Sequence, residues 1–158
     1  MALLAGCAGY HLGSVNGGVP RGKSIEVLPF NNQTLQPRLG DAVTQALRER
    51  FQVDVTYRLA TDGAGDVVVS GVITRYHRQG LSYLNKDATT TQNYRVDIVA
   101  HVVARERVTG KLVLEKNVTA YTLVNVGTDL ASSERQAAPP LAEDLARNIA
   151  ELLTDGAW

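Results

Sequence analysis

The sequence predicts an α+β fold, a two-layer sandwich in which two amphipathic helices pack on one face of a mostly antiparallel sheet of about four strands. Apolar and polar side chains alternate over residues 94–107, as in a half-buried strand, and two other segments repeat apolar residues at helical spacing. The chain has 158 residues, of which 44% are hydrophobic and 20% are charged. These values are typical of one soluble globular domain and argue against a disordered tail.

Charge and cysteine content exclude several classes of protein. The 16 basic and 16 acidic residues give a formal net charge of zero, whereas a general nucleic-acid binder needs a basic excess. A single cysteine cannot form a disulfide within the chain or a thiolate cluster for zinc. No apolar run approaches the ~18 residues of a transmembrane helix.

The first half of the domain contains one clear strand and one clear helix. Residues 24–30 alternate apolar and polar side chains and predict a strand. Because Pro29 cannot donate to a strand ladder, this strand either lies at a sheet edge or ends at Pro29. Residues 31–34 have turn chemistry. A helix is predicted over about residues 37–51, with Pro37 in its first turn. Its apolar stripe comprises Leu39, Val43, Ala46, Leu47 and Phe51.

Further strands are predicted over residues 53–57, 67–78, 94–107 and about 112–124. The segment 67–78 is rich in β-branched residues, which is typical of a well-covered strand. The last two strands flank a short turn and therefore form a long hairpin.

A second amphipathic helix ends the domain, with Pro139 and Pro140 in its first turn or at a kink. Its apolar stripe comprises Leu141, Leu145, Ile149 and Leu152. Because no segment has the composition of a linker, residues 24–158 are expected to form one domain. Residues 1–23 would be a signal-peptide remnant, a lipidation motif and a flexible tether.

The only cysteine ends the string Leu4-Ala5-Gly6-Cys7, which matches the lipobox of bacterial lipoproteins at all four positions. In those proteins the thiol receives a diacylglycerol, the preceding peptide is removed and the new amino terminus is acylated. Several acyl chains, at about 0.8 kcal/mol per buried methylene, anchor a domain stably. We expect Cys7 to be lipidated, a chance match being the alternative. Since the charged and longer apolar parts of a signal are missing, we expect that the start of the signal peptide is absent.

No pattern typical of catalysis or metal binding is present. His11, His77 and His101 are too far apart in sequence to be paired helical ligands. The two strand histidines are expected to be exposed, cross-strand neighbours being the alternative. A nucleophile elbow, a phosphate-binding loop and a close carboxylate pair are all missing. We therefore expect neither an enzyme nor any cofactor beyond the covalent lipid.

Two features indicate contact with another molecule. Residues 79–93 form a connection long enough to be functional or disordered, and we interpret Leu81, Tyr83 and Leu84 as apolar partner contacts. A long hairpin with a folded tip is the alternative.

The second feature is basic and flanks that connection. Arg75, Arg78 and Arg95 are candidates for binding phosphate, because arginine forks hold phosphate bidentately. Solvated strand ends are the alternative.

With the lipobox, tether and element order together, the sequence resembles the lipopolysaccharide-assembly lipoprotein family, LptE. The resemblance rests on residues 5–12 (AGCAGYHL), 25–32 (IEVLPFNN) and 46–51 (ALRERF). The late strands and the last helix also agree in order and length. Ala8, directly after the lipidated position, is similar to the residue found in lipoproteins forwarded to the outer membrane.

The resemblance implies an outer-membrane lipoprotein, anchored on the periplasmic side through Cys7, that plugs the large LptD β-barrel. It would support barrel assembly and the passage of lipopolysaccharide to the outer leaflet. The half-covered sheet face and the connection carrying Leu81 would face the barrel lumen. Arg75, Arg78 and Arg95 become candidates for lipopolysaccharide phosphates. A polar lumen suits a plug with a mixed surface.

An alternative function is implied by a second resemblance. The strand VLPFN followed by an amphipathic helix is similar to lipoproteins related to the curli-secretion pore subunit and to activators of peptidoglycan synthases. Topology separates the two. A long antiparallel pair followed by one terminal helix favours the plug, whereas alternating strands and helices in a parallel sheet favour the alternative.

Overall fold

The residues that the structure describes form six strands and two helices. The computed structural model describes residues 22–84, 87–125 and 129–155, with the backbone alone described at 82–84, 87–92 and 130. The elements in chain order are β1 (Ser24–Val27), β2 (Asn31–Asn32), α1 (Leu39–Val53), β3 (Arg58–Leu59), β4 (Val67–Leu84), β5 (Asp87–Glu106), β6 (Leu112–Asn125) and α2 (Leu130–Asp155).

The six strands form one mixed sheet in the order β3-β1-β4-β5-β6, with β2 also paired to β4. β1 runs parallel to β3 and β4, and β2 runs parallel to β4, whereas β4, β5 and β6 are antiparallel. The α+β class is confirmed, and the prediction of about four mostly antiparallel strands is close, since the sheet has six strands and its short β1, β2 and β3 add parallel pairings. α1 is a crossover that returns the chain to the end where β1 began, so β3 pairs with β1 in parallel.

Short strands account for the errors in the first half. β1 ends at Val27, and Asn31–Asn32, predicted as a turn, forms β2. The strand predicted over 53–57 was wrong, because Val53 ends α1 and the strand is Arg58–Leu59. Strands of two residues are too short to show a periodic pattern, so only tertiary pairing defines them.

Residues 79–93 were wrongly predicted as a loop between strands. β4 continues to Leu84 and β5 begins at Asp87, so the two form one long hairpin, as in the alternative. Pairing persists through Gly80↔Tyr94 and Tyr83↔Thr91, with register shifts between them. The threonines and tyrosines of this segment favour strand, which outweighed the polar, loop-like composition.

α2 begins at Leu130, so Pro139 and Pro140, which were expected in its first turn or at a kink, do not lie in the first turn. Asp129 caps it, because the Asp129 carboxylate accepts hydrogen bonds from the backbone N–H groups of Ala131 and Ser132, both at 3.1 Å. Hydrogen bonding from Ser132 and these N–H groups lowers the pKa of Asp129. Pro139 and Pro140 therefore lie inside the helix, where each removes one backbone donor.

The core lies between the sheet and the two helices, on one face of the sheet. The even-numbered residues of β5 point into it, and Val96, Ile98 and Ala100 are fully buried. The predicted stripes of both helices pack against them, although Leu152 is only half-buried and Leu153, which was not predicted, is buried. Within the described residues, neither helix is long and apolar enough to cross a membrane.

Candidate functional site

The face of β4, β5 and β6 opposite the helices carries no covering layer among the described residues. We call it the open face. Its rows follow from the strand register and combine polar with apolar side chains. From one end to the other, three of these rows are Val72–His101–Asn117, His77–Asp97–Tyr121 and Gln79–Arg95–Leu123.

Arg95 is held in place on the open face by two contacts. Its Nε donates to Asp97 Oδ1 at 2.8 Å. Its guanidinium carbon lies 4.0 Å from the centre of the Tyr121 ring, a cation–π geometry. Tyr121 is 52% exposed and Leu123 is 66% exposed, so this end of the face presents an aromatic and an aliphatic group to solvent.

A second polar cluster occupies the middle of the open face. His101 Nδ1 lies 3.1 Å from Asn117 Oδ1, and His101 Nε2 lies 3.4 Å from Glu115 Oε1. His77 lies opposite Asp97 and His101 opposite Val72, so the two histidines are not cross-strand neighbours. No group of three or more possible metal ligands occurs in the described part of the chain.

A cleft of about 570 Å³ lies beside β4, between the loop 33–36 and the start of α2. Arg75, Tyr76, Arg78 and Glu134 contribute to its walls. The Tyr76 hydroxyl is buried and has no hydrogen-bond partner among the described residues. Burial, followed by the nearby Glu134 carboxylate, raises the pKa of Tyr76, so its hydroxyl remains a proton donor.

The loop that forms one wall of the cleft is shaped by Asn32. The Asn32 side chain donates to Gln36 O at 2.7 Å, and its Oδ1 accepts from the N–H of Thr34 at 3.0 Å. Such Asx turns are typical of asparagine. Leu35 is fully exposed at the tip of this loop.

The three candidate phosphate-binding arginines do not form one cluster. Arg75 and Arg78 lie within β4, not at a strand end, and both line the cleft. Arg78 forms an ion pair with Glu134 of α2. Arg75 and Arg95 both lie on the open face, and Arg95 is four residues along β5 from Val99, the partner of Arg75. Charge alone could not separate these positions.

The structure describes the other predicted site residues only in part. Leu81 is 50% exposed on the hairpin. Tyr83 and Leu84 lie at the end of β4, but their side chains are outside the described part. Cys7 lies outside the described residues.

Two polar side chains of α2 cover the outer edge of β6, a feature that the sequence pattern did not reveal. Asn148 Nδ2 donates to Thr119 O at 2.8 Å, and Tyr121 N donates to Asp144 Oδ2 at 3.1 Å. These bonds occupy backbone groups that would otherwise be free to pair with another strand.

The end of the sheet where β1 begins is closed by Ser24 and Asp66. Asp66 Oδ2 accepts from Ser24 N at 2.8 Å and from Ser24 Oγ at 2.7 Å, and Asp66 N donates to Ser24 Oγ at 3.0 Å. The hydrogen bonds from Ser24 lower the pKa of Asp66. This pairing attaches the start of the domain to the start of β4.

The LptE family model, described as lipopolysaccharide-assembly, matches residues 22–153. This span includes all of the elements except the last two residues of α2. The chain belongs to the LptE family. The resemblance seen in the sequence is therefore confirmed. No curated protein sequence matched.

Solved structures similar to this LptE-family chain share its fold at low sequence identity. A protein from Xanthomonas campestris has 12% identity and a TM-score of 0.60, covering 89% of this chain and 90% of its own. A candidate lipoprotein from Caulobacter crescentus has 11% identity and a TM-score of 0.56, covering 80% and 88%. A minor lipoprotein from Acinetobacter baumannii has 15% identity and a TM-score of 0.51, covering 84% and 94%.

Membership of the LptE family gives the protein a role in lipopolysaccharide assembly. The family is non-catalytic, which is consistent with the prediction that the chain is not an enzyme. The structural likeness concerns the fold alone.

Proposed function

We propose that the chain is an outer-membrane lipoprotein, lipidated at Cys7, that complexes with and plugs an LptD-type β-barrel. In that complex it supports barrel assembly and the insertion of lipopolysaccharide into the outer leaflet. Family membership supports the lipopolysaccharide role, and the open face supports contact with a barrel wall.

The open face is the single observation that carries this proposal. A sheet face without a helical layer normally either meets solvent as a purely polar surface or is covered by a partner. This face combines half-buried Val72, Val99 and Val103 with the ordered Arg95–Tyr121 pair. A mixed surface of this kind suits the polar interior of a large barrel.

The length of the central hairpin also suits a plug. β5 has 20 residues, and a strand of that length extends about 65 Å. The apolar band of an outer-membrane barrel is about 25 Å tall. The hairpin is therefore long enough to pass through the lumen, with Leu81, Tyr83 and Leu84 as partner contacts near its tip. Arg75 and Arg95 are the lipopolysaccharide-phosphate candidates on the open face, and Arg75 also lines the cleft together with Arg78.

The proposal is tested by purifying the full-length lipidated protein from detergent-solubilised outer membranes and identifying co-purified proteins by mass spectrometry. Thr119→Lys places a charge at the centre of the open face, where the side chain is exposed and the monomer can tolerate it. Gln136→Lys makes the same change in charge on the exposed surface of α2. We expect a large β-barrel protein in equal amount with the wild type and the α2 variant, and much less with Thr119→Lys.

Two results would contradict the proposal in different ways. Recovery of a homo-oligomer, or of a peptidoglycan synthase without a barrel, would favour the alternative function. Equal recovery of the barrel with both variants would retain the complex and reject the open face as its interface. A Cys7→Ser variant should leave the membrane fraction, because it lacks the thiol that accepts the lipid.

A further inference from the structure

One edge of the sheet is covered and the other is open along the middle of β4. The edge of β6 is bonded to Asn148 and Asp144 of α2. The opposite edge of β4 is covered by β1 and β2 only as far as Ile73, whose carbonyl accepts from Gln33 N at 2.9 Å. Beyond Ile73, no strand of the described residues pairs with that edge.

The register identifies which backbone groups of β4 face outward. Thr119 O and Tyr121 N point away from β5, so their partners Val99 and Asp97 direct their backbone groups toward β4. Val99 and Asp97 pair with Arg75 and His77 of β4, which are therefore bonded to β5. The alternate residues direct one N–H and one C=O each toward the open edge, and these are Tyr76, Arg78 and Gly80.

A one-residue irregularity at Thr74 separates the covered and open parts of this edge. The register shifts between Ile73 and Arg75, and Thr74 is the extra residue. Bulges of this kind redirect a strand and are common beside functional sites. Here the bulge lies where β4 leaves β2 and enters the cleft.

The cleft provides space and unpaired polar groups directly beside the open edge. Its volume is about 570 Å³, and the buried Tyr76 hydroxyl lacks a partner among the described residues. Arg75 lines the same cleft, and the described residues offer it no ion pair. Since Glu134 already neutralises Arg78, Arg75 leaves the cleft with a net positive charge.

We propose that the β4 edge at residues 76–80 binds an extended acidic segment of a partner protein by β-augmentation. The added strand would bond to the outward backbone groups of Tyr76, Arg78 and Gly80. A carboxylate on the segment would pair with Arg75, which lines the cleft and has no ion pair among the described residues. This site adjoins the open face, because Arg75 shares its row with Val99 and Thr119, but it does not depend on the chain plugging a barrel.

The test compares two variants at Arg78 that differ in one backbone donor. Arg78→Pro removes the outward N–H, a change that edge strands tolerate, and Arg78→Ala removes the same side chain but retains the donor. The probe is a phage-displayed library of random nonapeptides selected on the full-length wild-type chain in detergent. Thermal melts check that both variants fold. Gly80→Pro and Gly80→Ala form a second pair of variants that differ in one backbone donor, and here the wild-type residue has no side chain to lose.

We expect selected peptides to be acidic, with β-branched residues at alternate positions, and to protect the amides of Tyr76, Arg78 and Gly80 from hydrogen exchange. Their Kd should rise about tenfold for Arg78→Pro relative to Arg78→Ala, as for the loss of one backbone hydrogen bond. Equal Kd values for the two variants, or basic peptides, would overturn the proposal. Protection that appears in the chain alone as its concentration rises would also overturn it, in favour of a second copy. Protection by lipopolysaccharide but by no peptide would reject a protein partner.

Discussion

Phe30 and Gly71 provide a test of how the segment before α1 packs against β4. The Phe30 ring is 5% exposed and lies against Gly71 of β4. A Cβ added at Gly71 would lie 2.2 Å from Phe30 Cε1, well inside van der Waals contact. Since the ring occupies the space that a methyl group needs, Gly71→Ala should destabilise the domain.

The ring cannot move away easily, because the Phe30 backbone is fixed from the other side. Phe30 N donates to Thr44 Oγ1 at 2.9 Å, and Thr44 Oγ1 donates to Gly40 O at 2.7 Å. The position of a Cβ on Gly40 would be 2.4 Å from Phe30 O, so α1 is in close contact there. Overpacking at such a site costs about 1–3 kcal/mol. In a domain of this size, that corresponds to a fall in Tm of about 2–12 °C.

The assay is urea and thermal unfolding of the unlipidated domain for the wild type, Gly71→Ala, Phe30→Leu and the double variant. Phe30→Leu removes the ring atoms that approach Gly71. It should therefore destabilise the wild type, whereas in the Gly71→Ala background it should destabilise the domain much less or not at all. The coupling free energy isolates this contact. The reasoning is refuted if Gly71→Ala unfolds within about 0.5 kcal/mol of the wild type, or if Phe30→Leu has the same effect in both backgrounds.

Two further predictions concern hydrogen bonds at two separate places, the Ser24–Asp66 pair and the bond from Asn148 to the edge of β6. The lowered pKa of Asp66 stabilises the fold above the ordinary carboxyl pKa, and this stability is lost as pH falls through the folded-state value. Asp66→Asn should therefore flatten the pH dependence of urea unfolding below about pH 5, and an unchanged slope would contradict this. Asn148→Ala frees Thr119 O at the β6 edge, so it should destabilise by about 0.5–1.5 kcal/mol and increase self-association in sedimentation. Gln136→Ala, on the exposed surface of α2, should do neither.

Strong local periodicity allowed part of the fold to be predicted from the sequence. Alternation in residues 94–107 predicted which side of β5 is buried, and the structure confirms Val96, Ile98 and Ala100 in the core. β6 was predicted within one residue of its end. The apolar spacing of α1 also identified its buried side, although the helix begins at Leu39, after Pro37. These patterns reflect burial of one face, which each segment encodes by itself.

Much less of the geometry of the site could be predicted from the sequence. Arg75, Arg78 and Arg95 were grouped by charge, but strand register puts Arg75 and Arg95 on the open face and Arg78 on the opposite face, beside Glu134. Tyr76 was not singled out, because nothing in a strand sequence reveals a hydroxyl that is buried without a partner. Asn148 was not singled out either, because only its position over Thr119 gives it a role.

The sequence by itself determined the α+β class, the two helices, the long hairpin strands, the lipobox at Cys7 and the likeness to the LptE family. Each of these depends on residue order within one segment or on a short motif. Only the tertiary structure decided the parallel pairing of β1 with β3 and β4, the open face, the cleft and the uncovered edge of β4. Those features arise where segments distant in the chain meet or fail to meet, and local residue patterns carry no information about such distances.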